Sequence, residues 1–236
     1  MVNGLYRQAA RGRSTRATGG PSAVGYTVRT LSQETQLAAP RIALPQLTSI
    51  SRVSLDLELR RQFARLMPGV VLDVGSKHSP YAGAIPQTRY LRLDLDPGTN
   101  PDICCDIERI DWESDYFDTV VATEVLEHVL HPDKAVDEIR RVLKPGGICI
   151  LSTRFMFPYH PDPHDYFRFS SDSLTHLFRD FTEAEIRAHG NRLQVVWQLL
   201  SSQRFGLPLQ VFNPLVARIN VRTTAYPLGF VVRARK

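Results

Sequence analysis

From residue 51 onward, the apolar positions of this chain switch repeatedly between helical spacing and short β-branched runs. Val53, Leu55, Leu57, Leu59, Phe63 and Leu66 fill 51–67 before Pro68-Gly69, and their spacing predicts a helix, with alternation over 53–59 as a competing strand signal. Val70–Val74 reads as a buried strand followed by a turn at Gly75–Ser79. Tyr90–Leu95 alternates up to Asp94 and Asp96, and Asp102–Asp106 is a short third strand. Between the first two strands, Ser76 to Thr88 leaves room for only a short crossover helix. Residues 117–153 carry the clearest signal. Phe117–Thr123 is an apolar strand, Glu124, Glu127 and His128 follow it, and Pro132 opens a helix with Val136, Ile139, Val142 and Leu143 on one face. Lys144 and Gly146-Gly147 are expected to close that helix before a strand at Ile148–Leu151.

After Thr153 the pattern predicts a long polar–aromatic loop, a helix over Asp172–Arg179, a strand over Phe181–His189 and a last strand over Leu228–Ala234. Val195–Leu200 is apolar enough for a buried or a surface-docking helix. Strands alternating with helices argue an α/β, doubly wound, mostly parallel sheet, with the two late strands as an antiparallel C-terminal edge. Seven strands sandwiched between helices make three layers.

Composition narrows this picture without changing it. With 236 residues and 43% hydrophobic content, the chain suits one domain with additions, and no window approaches a membrane-spanning length of apolar residues. The formal charge is +5, and Arg7, Arg11, Arg13, Arg16 and Arg29 precede the first acid, Glu34. Residues 1–48 are therefore expected to be a basic, poorly ordered tail, and 49–236 the folded domain. Nucleic-acid binding and an organelle transit peptide are the competing readings of that tail. Cys104, Cys105 and Cys149 offer neither a CxxC pair nor an even count, which fits buried thiols in a reducing, cytoplasmic setting.

The candidate chemistry sits at the ends of the strands. Asp73 and Gly75 close the first, Asp94 the second, Asp106 the third, and Glu124 follows the fourth. A strand-end aspartate alone often just caps a turn. Recurring at successive strand ends, such carboxylates suit a ligand lying across the sheet edge, with a ribose diol on Asp94 and an adenine amino group on Asp106.

On these residues the chain resembles the class I S-adenosylmethionine-dependent methyltransferases of the small-molecule, type 11-like branch. The matching text is VVLDVGS (70–76), LRLDLD (91–96), CDIERI (105–110), FDTVVATEVLEHV (117–129) and EIRRVLKPGGICILST (138–153). The resemblance implies a Rossmann-like fold and S-adenosyl-L-methionine as cofactor. It implies that Gly75 admits the methionyl part, Asp73 orients its amino group, Asp94 holds the ribose, Asp106 and the Ile107 amide bind adenine, and Glu124 lies by the amino-acid end. The chain departs from the family's GxGxG loop with Gly75-Ser-Lys77-His-Ser79, so the side chains at 77 and 79 must point away from the ligand or the loop must take another path. Tyr81, after Pro80, is placed to cover the cofactor.

For the acceptor, His128 at the mouth and His160 and His164 in the loop after the fifth strand are candidate bases, since imidazole titrates near neutral pH. Tyr159, Tyr166 and Arg168 are candidate acceptor-binding groups, with an Asp165–Arg168 surface pair as the plainer reading. Prolines 161 and 163 forbid the helix that would align an HxxxH pair, so no metal is expected. The expected partner is a small-molecule or glycan-type acceptor. Thr153-Arg-Phe-Met replaces the Asn/Asp-Pro-Pro-aromatic signature of many nucleic-acid amino methyltransferases, which argues against nucleic acid. The apolar block 192–226 reads as a variable cap, a homo-oligomer contact or a peripheral membrane-docking patch.

Overall fold

The computed structural model describes residues 49–161, 164–201, 207–219 and 225–236. The tail 1–48, with its basic and disorder readings, lies outside the described residues.

The chain enters through α1 (Ile50–Phe63), capped by the Ser49 side chain, which accepts from the Arg52 amide at 3.2 Å. The helix stops well short of residue 67. Five parallel strands follow: β1 (Gly69–Val74), β2 (Gln87–Asp94), β3 (Ile103–Cys104), β4 (Phe117–Thr123) and β5 (Leu143–Arg154). Between β4 and β5 lies α2 (Pro132–Val142), with proline at its first position, Asp133 in the first turn and Arg140 and Arg141 in the last. Then come α3 (Ser171–Leu177), β6 (Glu183–His189), α4 (Arg192–Ser201), α5 (Asn213–Arg218) and β7 (Gly229–Arg235).

The sheet order is β3-β2-β1-β4-β5-β7-β6. The two late strands form the expected antiparallel edge: β7 pairs antiparallel with both β5 and β6, and β6 is the rim strand. Alternation sorts the core into two layers. Leu72, Val120, Ala122, Leu151 and Val232 face α2 and α3, meeting Val136, Ile139, Leu174 and Phe178. Their neighbours Val71, Val121, Ile150 and Val231 face α1, meeting Leu55, Leu59 and Phe63. Truncating one of these, such as the fully buried Phe117, to alanine removes about 3–5 kcal/mol of stability.

Two expectations fail for local reasons. The helix before β5 is not closed by Lys144 and the glycine pair. It ends at Val142, because Leu143 is already extended (φ −69°, ψ 141°) and paired with Phe117, and Pro145 disfavours helix at Lys144. Residues 144–147 bulge instead, with Gly146 at φ +79°, before Ile148 rejoins opposite Thr119. The β1–β2 crossover holds no α-helix, only a single 3-10 turn at Ala82–Ala84.

Candidate active site

The carboxyl ends of β1, β2, β4 and β5 gather the acids that the sequence singled out. After β1 the backbone turns left-handed three times at alternate residues: Gly75 (φ +63°), Lys77 (φ +45°) and Ser79 (φ +47°). These are the three glycine positions of the GxGxG pattern, so the loop keeps left-handed turns at those positions without the glycines at 77 and 79. Gly75 itself has no substitute. A Cβ there would lie 2.6 Å from Val125 Cγ2, and its amide donates to Leu93 O at 2.8 Å.

Asp94 explains how non-glycine residues hold this path. It is buried, and its two carboxylate oxygens accept the Lys77 amide and the Asp96 amide, each at 3.1 Å. The acid clasps the loop against the end of β2 and keeps further lone pairs on both oxygens. Asp96 caps the next turn through the Gly98 amide at 2.8 Å.

Asp73 sits deeper, 2% exposed, and accepts the Tyr90 hydroxyl. Burial pushes its carboxyl up to about 6, against the opposing hydrogen bonds from Tyr90, Ser79 and Ser76. Tyr81 does not extend over the loop. It is buried against Phe63 of α1, with rings 5.7 Å apart, and donates to Asp56 Oδ1 at 2.6 Å. At the end of β3, exposed Asp106 caps the turn Ile107–Arg109 through the Glu108 amide at 2.9 Å, while the Ile107 side chain is buried.

The centre of the edge holds a charge cluster that the sequence reading missed. Glu124 has φ +57°, and its carboxylate pairs with the Arg154 guanidinium at the end of β5. Arg154 Nε lies 3.4 Å from Glu127 Oε1, and Glu127 Oε2 accepts the Thr153 hydroxyl at 3.0 Å. Glu127 is fully buried, and the Arg154 guanidinium stacks 3.6 Å over Phe157. Burial pushes Glu124 up to about 7 despite Arg154, with Glu127 adding to the rise, and Glu127 is raised by burial too. Glu124 Oε1 is buried and has no hydrogen-bond partner among the described residues. A cation placed directly after a strand that ends among acids was the available signal for Arg154. His189, fully desolvated at the end of β6 and held down to about 3, completes the floor beside Gly229, where any Cβ would meet its Nε2 at 2.7 Å.

The three histidines come together. His128 Nδ1 meets the His164 carbonyl, and the His128 and His160 ring centroids are 5.4 Å apart. A carbonyl only accepts, so Nδ1 carries a proton, and in the neutral ring the lone pair belongs to Nε2. Tyr166 joins through its amide to Glu127 O at 2.9 Å and its ring beside His164, while Tyr159 is 77% exposed. Arg168 is engaged by its own loop. Both terminal nitrogens pair with Asp165, whose side chain is buried rather than at the surface, and they also reach the Pro158 and Phe167 carbonyls. The Arg168 hydrogen bonds hold Asp165 down to about 2.

An open parallel sheet with acids and a left-handed loop at its carboxyl edge defines a nucleotide-type α/β fold. The comparisons with known proteins then specify it. The "Methyltransferase domain" family profile matches residues 72–151. The ubiquinone/menaquinone biosynthesis C-methyltransferase UbiE of Burkholderia cenocepacia is 44% identical over 54 residues, 22% of this chain and 22% of that protein. Among solved structures, phosphoethanolamine N-methyltransferase 2 of Haemonchus contortus in complex with S-adenosyl-L-methionine is 16% identical with a TM-score of 0.52, over 77% of this chain and 52% of that one. The [4+2]-cyclase SpnF is 20% identical with a TM-score of 0.50, over 78% of this chain and 81% of the other. Residues 72–151 thus match a methyltransferase domain profile, and the fold is shared with S-adenosylmethionine-dependent methyltransferases of solved structure.

Proposed function

We propose that this chain transfers the methyl group of S-adenosylmethionine to an oxygen or nitrogen of a small polar or glycan-type acceptor. The observation that carries the cofactor reading is the left-handed path at 75, 77 and 79, clasped by Asp94. That path brings the close-packed Gly75 turn and the Asp73 and Asp94 carboxylates to one edge, an arrangement that fits an amino-acid nucleoside. Asp94 would hold the ribose, Asp106 and the Ile107 amide the adenine, and Gly75, Asp73 and Glu124 the amino-acid portion. When bound, the cofactor supplies an electrophilic methyl group on a sulfonium. The chain's own task is to position the acceptor and remove its proton. His128 Nε2, its tautomer fixed by the His164 carbonyl, is the group suited to take a proton from a hydroxyl or amine. Tyr159 and Tyr166 flank it on the loop, with Arg168 bracing that loop.

A binding module without turnover is the second reading, motivated by Lys77 and Ser79 where glycines are usual and by the SpnF likeness, since a shared fold does not fix the reaction. Calorimetry with S-adenosylmethionine separates the cases. The enzyme reading expects micromolar binding that weakens about tenfold to a hundredfold in Asp94→Ala. Absence of heat at millimolar ligand would sink it. With a labelled methyl donor, the carbon chemical shift of the product methyl then reports oxygen, nitrogen or carbon attachment; a carbon-bound methyl overturns the heteroatom assignment.

A further inference from the structure

The helix pair α4–α5 is built inside out. The face of α4 turned toward the protein buries Gln194, Gln198 and Ser201 with Val195, while Leu193, Val196 and Leu200 are exposed at 39%, 48% and 55%. The buried amides lace the pair together: Gln194 Nε2 donates to Val216 O and Ala217 O, and Trp197 Nε1 donates to Asn213 Oδ1 at 2.8 Å. Across the pair, Val211, Phe212 and Leu215 are likewise exposed, each above half. A helix pair that spends its polar side chains inward and turns leucine and phenylalanine outward is shaped for an apolar surrounding.

Charge narrows what that surrounding is. Residues 192–226 contain four arginines and no acid, and no Asp or Glu occurs anywhere from 186 to 236. Arg192 and Arg218 flank the apolar face as exposed residues. A second copy of the chain would bring these same arginines against one another across a two-fold axis. The chain's own residues 1–48 hold six arginines against the single acid Glu34, so they too are of the wrong sign. An anionic lipid surface satisfies both properties at once, taking the apolar side chains into the acyl boundary and the guanidiniums among the headgroups.

We infer that the outer face of α4–α5 docks this protein on an anionic bilayer surface. The position of the face gives this a use. Its segment leaves the sheet at His189 and returns at Gly229, where Leu228 N bonds His189 O and Phe155 N bonds Leu228 O at 2.9 Å each. Arg192 lies over Tyr226, 4.9 Å from the ring centroid, and Asn191 Nδ2 donates to Ile219 O beside it. That is the carboxyl edge of β5, where the histidine loop begins. A docked protein would hold its acceptor mouth next to the lipid headgroups.

The test is co-flotation of the full chain with phosphatidylcholine vesicles, alone or containing 30% phosphatidylglycerol, at low and high salt. Binding at least about tenfold stronger to the anionic vesicles, and weakened by salt, is expected. The double variant Leu200→Asp, Leu215→Asp should lose it, while Leu130→Asp, an exposed leucine outside the patch, should keep it. Circular dichroism and calorimetric binding of S-adenosylmethionine should be unchanged in both variants, which keeps this inference separable from the methyl-transfer reading. Three results overturn it: no anionic-vesicle binding by the wild type, retained binding in the double variant, or a wild-type dimer by light scattering that the double variant dissolves without any vesicle binding.

Discussion

Asp73 offers a direct test of how this site trades stability for function. The carboxyl is 2% exposed, and burial raises it from 3.8 to about 6. Because the folded value lies above the unfolded one, the native state holds the proton more tightly. This contribution is fully present below the unfolded value and is lost as pH rises through about 6. Over that interval the loss amounts to about 3 kcal/mol at pH 8. Asp73→Asn removes the charge and keeps an oxygen to accept from the Tyr90 hydroxyl. The variant should therefore be more stable than wild type by up to about 3 kcal/mol at pH 8, and by only about 1 kcal/mol at pH 4.5, where the wild-type native acid is already protonated. Urea denaturation at the two pH values reads both numbers, and calorimetry should show weaker S-adenosylmethionine binding in the variant. Equal stability at pH 8, or a difference that does not change with pH, would refute the reasoning, because either result means the carboxylate is adequately solvated where it stands.

The remaining predictions address neighbouring parts of the edge. Gly75→Ala should destabilise by at least about 1–2 kcal/mol through its left-handed φ alone, and adding Val125→Ala should recover only the portion due to the 2.6 Å contact, as thermal melts of the single and double variants would show. Arg154→Met strands Glu124 and Glu127 without their cation. It should cost about 3–5 kcal/mol at pH 8 and distinctly less at pH 5, where Glu124, raised to about 7, is protonated, and a pH-independent loss in urea titrations would contradict this. His128→Gln should lower kcat by about 10²–10⁴ and leave cofactor affinity untouched; an equal fall in affinity would move His128 from proton transfer to cofactor positioning.

Most of the sheet was legible because buried parallel strands announce themselves as apolar runs, and 117–153 places two of them around a helix with its proline and charges in order. What escaped did so through long-range causes. The left-handed backbone at Lys77 is held by Asp94, seventeen residues further on, which accepts the Lys77 amide, while Ser79 bonds the Ser76 carbonyl. The end of α2 depended on Leu143 finding Phe117 across the sheet. Asp94 was read from sequence only as a ribose candidate, and its contacts to the Lys77 and Asp96 amides came from the fold. Arg154 stood unnoticed because its meaning arises only when β4 and β5 bring Glu124 and Glu127 beside it. The Asp165–Arg168 pair was legible from its spacing, and the fold adds the Pro158 and Phe167 carbonyls as further partners of the guanidinium.

The placement of β7 between β5 and β6 also dictates an order of assembly. During synthesis β6 emerges before its partner among the described residues, β7, which is still to be made after the whole α4–α5 segment. Until then the nascent chain exposes two open strand edges, on β5 and β6, beside an apolar helix pair. Closing them is a late, high-contact-order event, so the interval before residues 229–235 arrive is when this protein is most exposed to aggregation and most dependent on chaperones.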